Sequence, residues 1–554
     1  AYEITYGDWS SDVCSSDLAG SDPAVPRYSI ITPVYDPPED VLRACLDSVA
    51  RQEFTDWEHC LVDDASTQPH VARVLEEYAA RDRRFTVRRR PVNGGIIAAS
   101  QDALAMATGE FVALLDHDDL LTRDALASIE AVACTDPDLD YCYSDEDYLS
   151  PEGEFINPFY KPDWSPERFR SQMYTGHLSV ARRTLVEEVG GFRPGFEGSQ
   201  DYDLVLRVTE RARSIRHVAK VLYHWRILPE SVANNAAAKP YAYEAGRRAV
   251  QDHCDRTGRR ATVTDGVVPG VYRVQRELDG EPLVSVVIPT RGSRARVWGV
   301  DRCFVVEAVR SLVERARYQH LEIICVVDLP TPPEVIAELE AIAGDRLKLV
   351  WYDRPFNFSE KINLGAAHAT GDLMLILNDD VEVESPDFIE TMVGLLAEDD
   401  VAMVGAKLLF ADGRLQHAGH VYNGDPYHAY FGYPADHLGA CSVLACQRET
   451  SGVTAACALV KMSVWDEIGG MTPQLAGNFN DVDFSLKIRA RGYRILWTPY
   501  AVLYHFESMT REPTVQDEEL RVIRERWATP LRNDPYYNPN LEPLRDDWME
   551  RPRR

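Results

Sequence analysis

The sequence predicts an α/β protein made of two copies of one unit in tandem, and three observations predict it. Apolar runs of strand length alternate with segments of helical period. The run Glu110-Phe111-Val112-Ala113-Leu114-Leu115-Asp116-His117-Asp118-Asp119 ends abruptly in acidic residues, as a buried strand does at a sheet rim. Its shape returns in Asp372-Leu373-Met374-Leu375-Ile376-Leu377-Asn378-Asp379-Asp380. A period of about 250 residues marks a domain duplication rather than a solenoid.

Residues 1–25 show little apolar periodicity and are expected to be a disordered tail. Their stretch 7–18 resembles translated sequencing-adapter text more than protein. Tyr28-Ser29-Ile30-Ile31-Thr32-Pro33 then reads as a first strand, and Val41, Leu42, Cys45, Leu46 and Val49 mark the helix after it. Glu58-His59-Cys60-Leu61-Val62-Asp63-Asp64 is a second strand with a carboxylate end, followed by a helix at Val71, Val74, Leu75 and Tyr78. Asn93-Gly94-Gly95 is a turn, and an alanine-rich helix leads into the acidic-ended strand. Strand and helix alternating in this way give a parallel sheet covered on both faces. Ligands bind such sheets beyond the carboxyl ends of the strands, where Thr32, Asp64 and Asp118 would emerge.

The first unit spans 26–235, and 236–281 reads as a connector with one helix (243–256) and a Gly- and Pro-containing stretch. The pattern restarts in the second unit, 282–515, with a strand over 283–290, a helix at Val305, Ala308, Val309, Leu312 and Val313, and a strand over 322–328. Residues 516–554 read as a charged helix and a Pro- and Asn-rich tail.

A second repeat lies downstream. Val189-Gly190-Gly191-Phe192 precedes Gln200-Asp201-Tyr202-Asp203-Leu204, and Ile468-Gly469-Gly470-Met471 precedes Asn480-Asp481-Val482-Asp483-Phe484. His224 and His505 follow at nearly the same interval. Taken singly, an acidic triplet is usually a solvated turn, a helix-starting Asp an N-cap, and a His among aromatics a packing residue. Recurrence of all three in order within both halves favours function.

Composition narrows the chemistry. A formal net charge of −29 argues against nucleic acid as the main partner. An anionic ligand would then need a metal or a local basic group. Eleven cysteines, an odd number without a Cys-x-x-Cys pair, suit reduced thiols rather than disulfides or a zinc site. No apolar run has membrane-spanning length and no signal peptide is evident. A tight acidic turn with phosphate oxygens suits Mg²⁺ or Mn²⁺. Such an ion would stabilise a departing diphosphate, and Asp201 or Asp481 could take a proton from an acceptor hydroxyl.

Both halves resemble family 2 glycosyltransferases of the GT-A fold, in the bacterial tandem-domain type associated with O-antigen, rhamnan and other surface polysaccharides. The resemblance covers about residues 27–515. It rests on Thr32-Pro33-Val34-Tyr35, Val62-Asp63-Asp64-Ala65-Ser66, Asn93-Gly94-Gly95, the "DxD" Asp116-His117-Asp118 and Gln200-Asp201. In the second half it rests on Phe356-Asn357-Phe358-Ser359, Leu377-Asn378-Asp379-Asp380 and Tyr504-His505-Phe506-Glu507-Ser508. It implies that Thr32 and Asp64 face the nucleotide base, that Asp116 meets the ribose or metal, and that Asp118 binds the metal. Asp201 would be the base of an inverting reaction, His224 a further metal or diphosphate contact, and Arg226 a diphosphate contact. The second half would use Thr290, Asp328 and Asp379 for the nucleotide sugar, Asp380 and His505 for metal, and Asp481 as base.

The implied donor is a UDP-, dTDP- or GDP-linked sugar, and the acceptor a glycan or lipid-linked glycan. The implied location is the cytoplasm, at the inner face of the membrane, with membrane contact supplied by the acceptor or a partner. Departures from the family pattern bear on this. Gln200 and Asn480 stand where the family often has Glu, and Asn378 begins the second acidic motif. Asp328 is followed by Leu329, which reads as loss of an acidic counterpart to Asp64. Rival readings are one catalytic half beside a half that only binds, a sugar nucleotidyltransferase, and a non-catalytic carbohydrate-binding or scaffold protein. The first strand lacks the Gly-rich basic loop of a nucleotidyltransferase, and both bases a scaffold would have lost are present.

Overall fold

The computed structural model describes residues 25–228, 240–506 and 515–552. The expected tail, apart from its last residue, lies outside the described residues, as do Glu507 and Ser508 of the second-half motif.

In the first half, β1 (Tyr28–Val34), β2 (Trp57–Asp63), β3 (Phe85–Arg89) and β4 (Phe111–Leu114) form a parallel set in the order β3-β2-β1-β4. The helix Glu39–Ala50 buries Val41, Leu42, Cys45, Leu46 and Val49, the stripe its spacing predicts. The helix Pro69–Arg81 buries Val71, Val74, Leu75 and Tyr78 and starts on a proline, whose missing N–H costs nothing at that position. Past β4 the sheet changes character. β5 (Leu120–Leu121), β6 (Leu139–Leu149), β7 (Phe155–Phe159), β8 (Ser179–Arg182) and β9 (Ser214–Arg226) complete the order β3-β2-β1-β4-β8-β6-β9-β5, with β7 on β6. β8 runs antiparallel to both β4 and β6, so the sheet is mixed rather than wholly parallel. The alternating pattern legible in the sequence ends at β4.

The connector holds the helix Pro240–Arg256 and a hairpin of β10 (Ala261–Asp265) and β11 (Tyr272–Arg276). The second half opens with β12 (Val284–Thr290), the hairpin β13 (Arg294–Val297) and β14 (Val300–Cys303), β15 (Leu321–Asp328), β16 (Leu347–Tyr352), β17 (Leu373–Leu377) and β18 (Val381–Val383). It continues with β19 (Val401–Leu409), β20 (Leu415–His417), β21 (His420–Tyr422), β22 (Pro426–His428), β23 (Arg448–Glu449), β24 (Cys457–Lys461) and β25 (Arg494–His505). Its sheet order, β16-β15-β12-β17-β24-β19-β25-β18, repeats the first strand for strand, with the same parallel and antiparallel pairings.

One polar knot fixes the correspondence between the halves. Ser29 donates to Glu58 and Ser285 to Glu322, each at 2.6 Å. The same glutamates accept the N–H groups of Thr108 and Thr370 at 2.6 and 2.7 Å. The N–H groups of Gly109 and Gly371 close each knot on the serine at 2.8 and 2.9 Å. Ser29 therefore corresponds to Ser285 and Glu58 to Glu322.

The C-terminal segment is not a loose tail. Beyond the helix Asp517–Trp527, the Asn538 amide donates to Asp145 at 3.0 Å in the first half. Asp534 accepts the Tyr422 N–H at 2.8 Å, and Trp548 stacks on Tyr430 in the second half. The halves also meet directly: Glu449 accepts from the Ser165 hydroxyl and the Glu167 N–H, and Glu398 pairs with Arg170. No helix among the described residues is long and apolar enough to cross a membrane.

Candidate active site

In the first half the end of β4 turns sharply and brings three carboxylates together. Asp116 and Asp118 are half-buried and Asp119 is buried. Asp119 accepts the Tyr223 hydroxyl at 2.5 Å and the Arg226 N–H at 2.7 Å. The Arg226 guanidinium donates to the Asp118 carbonyl at 2.8 Å, so this arginine lies at the cluster. Burial and the neighbouring charges of Asp118 and Asp116 push the Asp119 carboxyl well above its ordinary range. Burial likewise raises Asp116, with Asp118 and Asp201 adding to it and His177 and His117 opposing. Asp201 is thus near enough to act on Asp116. It stands in the first turn of the helix Gln200–Thr209, its carboxylate accepting the Tyr202 N–H at 2.9 Å. Asp203, two residues on, is fully buried between Arg193 and Arg207 and locks that helix in place.

The second half builds the matching end of β17 from Asn378, Asp379 and Asp380. Thr290 donates to Asp379 at 2.6 Å, and the Nε2 of His505 lies 3.3 Å from Asp380 and 3.2 Å from the Asn378 amide. Burial and the Asp380 charge push Asp379 up to about 7, against Thr290, Lys361 and Arg291. Asp481 opens the helix Asn480–Ala490 and accepts the Val482 N–H at 2.8 Å, as Asp201 accepts that of Tyr202. Burial raises its pKa, with His428, the Val482 N–H, Thr454 and Ala455 opposing.

Strand register corrects three readings of the sequence. Counting from the Ser–Glu knot, Thr32 corresponds to Ile288 and Thr290 to Val34, so the two threonines are not equivalent. Thr32 is fully buried inside β1 with its hydroxyl 2.9 Å from the His59 ring, away from the strand end, whereas Thr290 reaches the acidic cluster. The same count pairs Asp64 with Asp328, so the acidic counterpart exists. Asp64 accepts the N–H groups of Gly94 and Gly95 at 2.9 and 2.8 Å and pairs with Arg90. Asp328 pairs instead with the buried Lys361 at 2.6 Å. The third correction concerns His224. It pairs with Leu120 in β5, while Glu382, the counterpart of Leu120, pairs with Tyr504. His224 therefore matches Tyr504, not His505. It points to Asp147 and stacks on Phe155, on the far face from Asp119.

These repeated features converge with comparisons to known proteins. The model of the family described as "Glycosyl transferase family 2" matches residues 29–190 and 285–467, once over each half. The chain belongs to glycosyl transferase family 2. The uncharacterized protein y4gI of Sinorhizobium fredii is 42% identical over 95% of this chain and 58% of its own length. The O-antigen biosynthesis protein RfbC of Myxococcus xanthus is 37% identical over 93% of this chain and 40% of its own length. The chain thus spans about half the length of these relatives. Among solved structures, S. aureus TarS 1-349 in complex with UDP-GlcNAc aligns with a TM-score of 0.34 and 21% identity, over 41% of this chain and 66% of that one.

Within this family 2 chain, the acidic strand ends suit a divalent cation. Asp116, Asp119 and His177 each bring a ligand atom within 4.8 Å of the others, a group that does not include Asp118, the residue the resemblance assigns to the metal. The two carboxylates suit Mg²⁺ or Mn²⁺, and the imidazole favours Mn²⁺ of the two. In the second half, Asn378 Oδ1 is buried with no hydrogen-bond donor among the described residues, an acceptor that a cation would satisfy. Sequence reading missed Asp119 and His177. Neither has an acidic or imidazole counterpart, since the register places Val381 and Ala456 there, and a search for repeats passes over both.

Proposed function

We propose that the chain is a two-site, metal-dependent, inverting glycosyltransferase that moves sugars from nucleotide-diphospho-sugar donors to a growing bacterial surface glycan. One observation carries this reading: Asp201, in the first turn of its helix, acts on Asp116 at the first acidic strand end, and Asp481, at the same place in the second half, accepts the N–H of Ala455, next to Ala456, whose carbonyl accepts the Asn378 N–H. The similarity to RfbC, an O-antigen biosynthesis protein, supports a glycan as the acceptor.

The residues divide the work. Asp201 and Asp481 accept the proton of the acceptor hydroxyl while its oxygen bonds to the anomeric carbon and the bond from that carbon to the diphosphate breaks. Attack opposite the leaving group inverts the carbon. Arg226 contributes positive charge at the first site. A divalent cation held by Asp116, Asp119 and His177, or by Asn378, Asp380 and His505, would supply Lewis-acid stabilisation to the leaving diphosphate. Burial of Asp481 raises its affinity for the proton it must take.

The test is nucleoside diphosphate release from a panel of sugar nucleotides with glycan acceptors, comparing wild type, Asp201→Asn, Asp481→Asn and the double variant. Each single variant should lose one linkage, and the double variant should fall by at least ~10². Turnover persisting in the double variant would overturn the assignment of the bases. Loss of all turnover in Asp201→Asn alone would leave the second half as a binding unit.

A further inference from the structure

His177 reaches the first acidic cluster from the loop just before β8, and one buried ion pair holds both of its backbone groups. Its N–H donates to Glu146 at 2.7 Å, and its carbonyl accepts from the Lys161 ammonium at 2.6 Å. Lys161 also donates to Glu146 at 3.1 Å and to the Thr175 carbonyl at 2.7 Å, so its three protons all have acceptors. Gly176 lets the turn lie against the pair, since a Cβ there would sit 2.8 Å from a Glu146 oxygen. The His177 ring is fixed as well. It stacks on Tyr223 with ring centres 4.5 Å apart, and the Tyr223 hydroxyl bonds Asp119.

Stability does not account for a pair this deep. Lys161 is fully buried and Glu146 nearly so. Taking two charges out of water costs about as much as their attraction returns, and apolar side chains of the same shape would stabilise the fold as well. What the pair supplies is position. The second half supports this. Register matches Tyr223 with Leu503, so Glu146, opposite Tyr223, matches Leu408, while His177 matches Ala456. There the imidazole at the acidic cluster is His505 of β25, and the position of the glutamate holds a leucine.

The pair is anchored in turn by the end of the chain. The Lys161 N–H donates to Asp145 at 2.8 Å, and the Asn538 amide is shared between Asp145 at 3.0 Å and the Lys161 carbonyl at 2.9 Å. Asn538 is buried, and Asp534, just before it, accepts the Tyr422 N–H of the second half. We propose that Lys161 and Glu146 are positioning residues that hold His177 on the first-half cation, and that Asn538 makes this hold depend on the C-terminal segment seated on the second half. This rests on Asp116, Asp119 and His177 holding the cation.

The experiment reads Mn²⁺ binding rather than turnover, from the electron paramagnetic resonance of free Mn²⁺, in the full chain carrying Asp380→Asn to weaken the second site. Lys161→Met should raise the Mn²⁺ Kd by about tenfold or more. Asn538→Ala should raise it less. Glu146→Gln, which keeps an acceptor for the His177 N–H, should recover part of the loss seen in Glu146→Ala. The deciding comparison adds His177→Ala: the double variant with Lys161→Met should bind Mn²⁺ no more weakly than His177→Ala alone, because both remove the same interaction. Additive losses, or an unchanged Kd in Lys161→Met, would overturn the proposal. Glu146→Ala serves in the same cycle should Lys161→Met not fold. An unchanged Kd in Asn538→Ala would overturn the dependence on the C-terminal segment. Absence of Mn²⁺ binding in the parent would overturn the metal reading and this inference with it, whereas unchanged binding in Lys161→Met overturns this inference alone.

Discussion

His224 and His505 are one strand position apart: Leu120 pairs with His224, whereas its counterpart Glu382 pairs with Tyr504. His224 follows Asp201 by 23 residues, and His505 follows Asp481 by 24. Side chains alternate across a strand, so this single residue turns one imidazole to the acidic cluster and the other away.

The two histidines should consequently respond differently to removal. His505→Ala should raise the Mn²⁺ concentration for half-maximal second-half activity by at least ~10-fold, the scale of losing a group at a metal site. His224→Ala should leave the metal response of the first half unchanged, because His224 serves Asp147 and Phe155. Its cost should appear as lower stability. His177→Ala should produce the metal effect in the first half. Mn²⁺ titrations of activity in the three variants check all of this.

Asp379 makes second-half stability depend on pH. Burial and Asp380 raise its pKa to about 7 in the fold, above the ~3.9 of a free aspartate. Between those values the folded state binds the extra proton, so stability falls as pH rises from about 4 to 7. In metal-free protein, Asp379→Asn should remove this loss. The variant should gain about 1–3 kcal/mol over wild type at pH 8 and nothing at pH 4. Denaturant melts in EDTA at the two pH values give the comparison. A gain that stays the same at pH 4 would point to packing instead of charge.

The acidic strand ends, the bases and the helical stripes were legible because each leaves a local and repeated signature. Asp118 and Asp380 keep the equivalence that counting along the apolar run gives them. What failed was register over distance. The interval between Asp64 and Asp328, and between Tyr223-His224 and Tyr504-His505, is set by strand pairing, which a one-residue slip leaves unmarked in composition. His177 stayed hidden because it comes from the loop just before β8, a strand that the helical and alternating patterns do not announce. His417, His420 and His428, whose ring nitrogens cluster within 4.8 Å, have no first-half copy, so comparing the halves passed over them.

Gly371 and Gly109 should be intolerant of a side chain for the same reason in both halves. Each donates its N–H to the serine of the knot, which draws the backbone against the neighbouring strand. A Cβ on Gly371 would sit 2.3 Å from the Leu283 carbonyl oxygen, and one on Gly109 would sit 2.8 Å from the Ser29 nitrogen. Backbone atoms cannot swing aside as side chains do. Gly371→Ala should cost about 1–3 kcal/mol and Gly109→Ala somewhat less. Calorimetry should show each variant lowering mainly the transition of its own half.

Glu398 should hold the two halves together. It pairs with Arg170 at 2.8 Å and Arg494 at 2.7 Å, and also with Arg259 and Arg276, so that one carboxylate joins first half, connector and second half. Burial opposes its charge, but Arg170, Arg276, Arg259 and Arg494 outweigh that and hold the carboxyl far below its usual range. A depressed carboxylate contributes stability above its unfolded pKa and loses it as pH falls. Glu398→Ala leaves the buried Arg170 and Arg276 without one of their counter-charges. It should therefore cost about 3–5 kcal/mol at pH 7, with a smaller penalty below about pH 4. Glu525→Ala, which breaks the exposed pair with Arg521, should change stability by less than ~0.5 kcal/mol. Hydrogen exchange should also quicken in Glu398→Ala over Pro166–Ser171, whose first N–H groups bond Glu449 across the same interface. Unchanged exchange there, with global stability intact, would mean that the interface stands without this cluster.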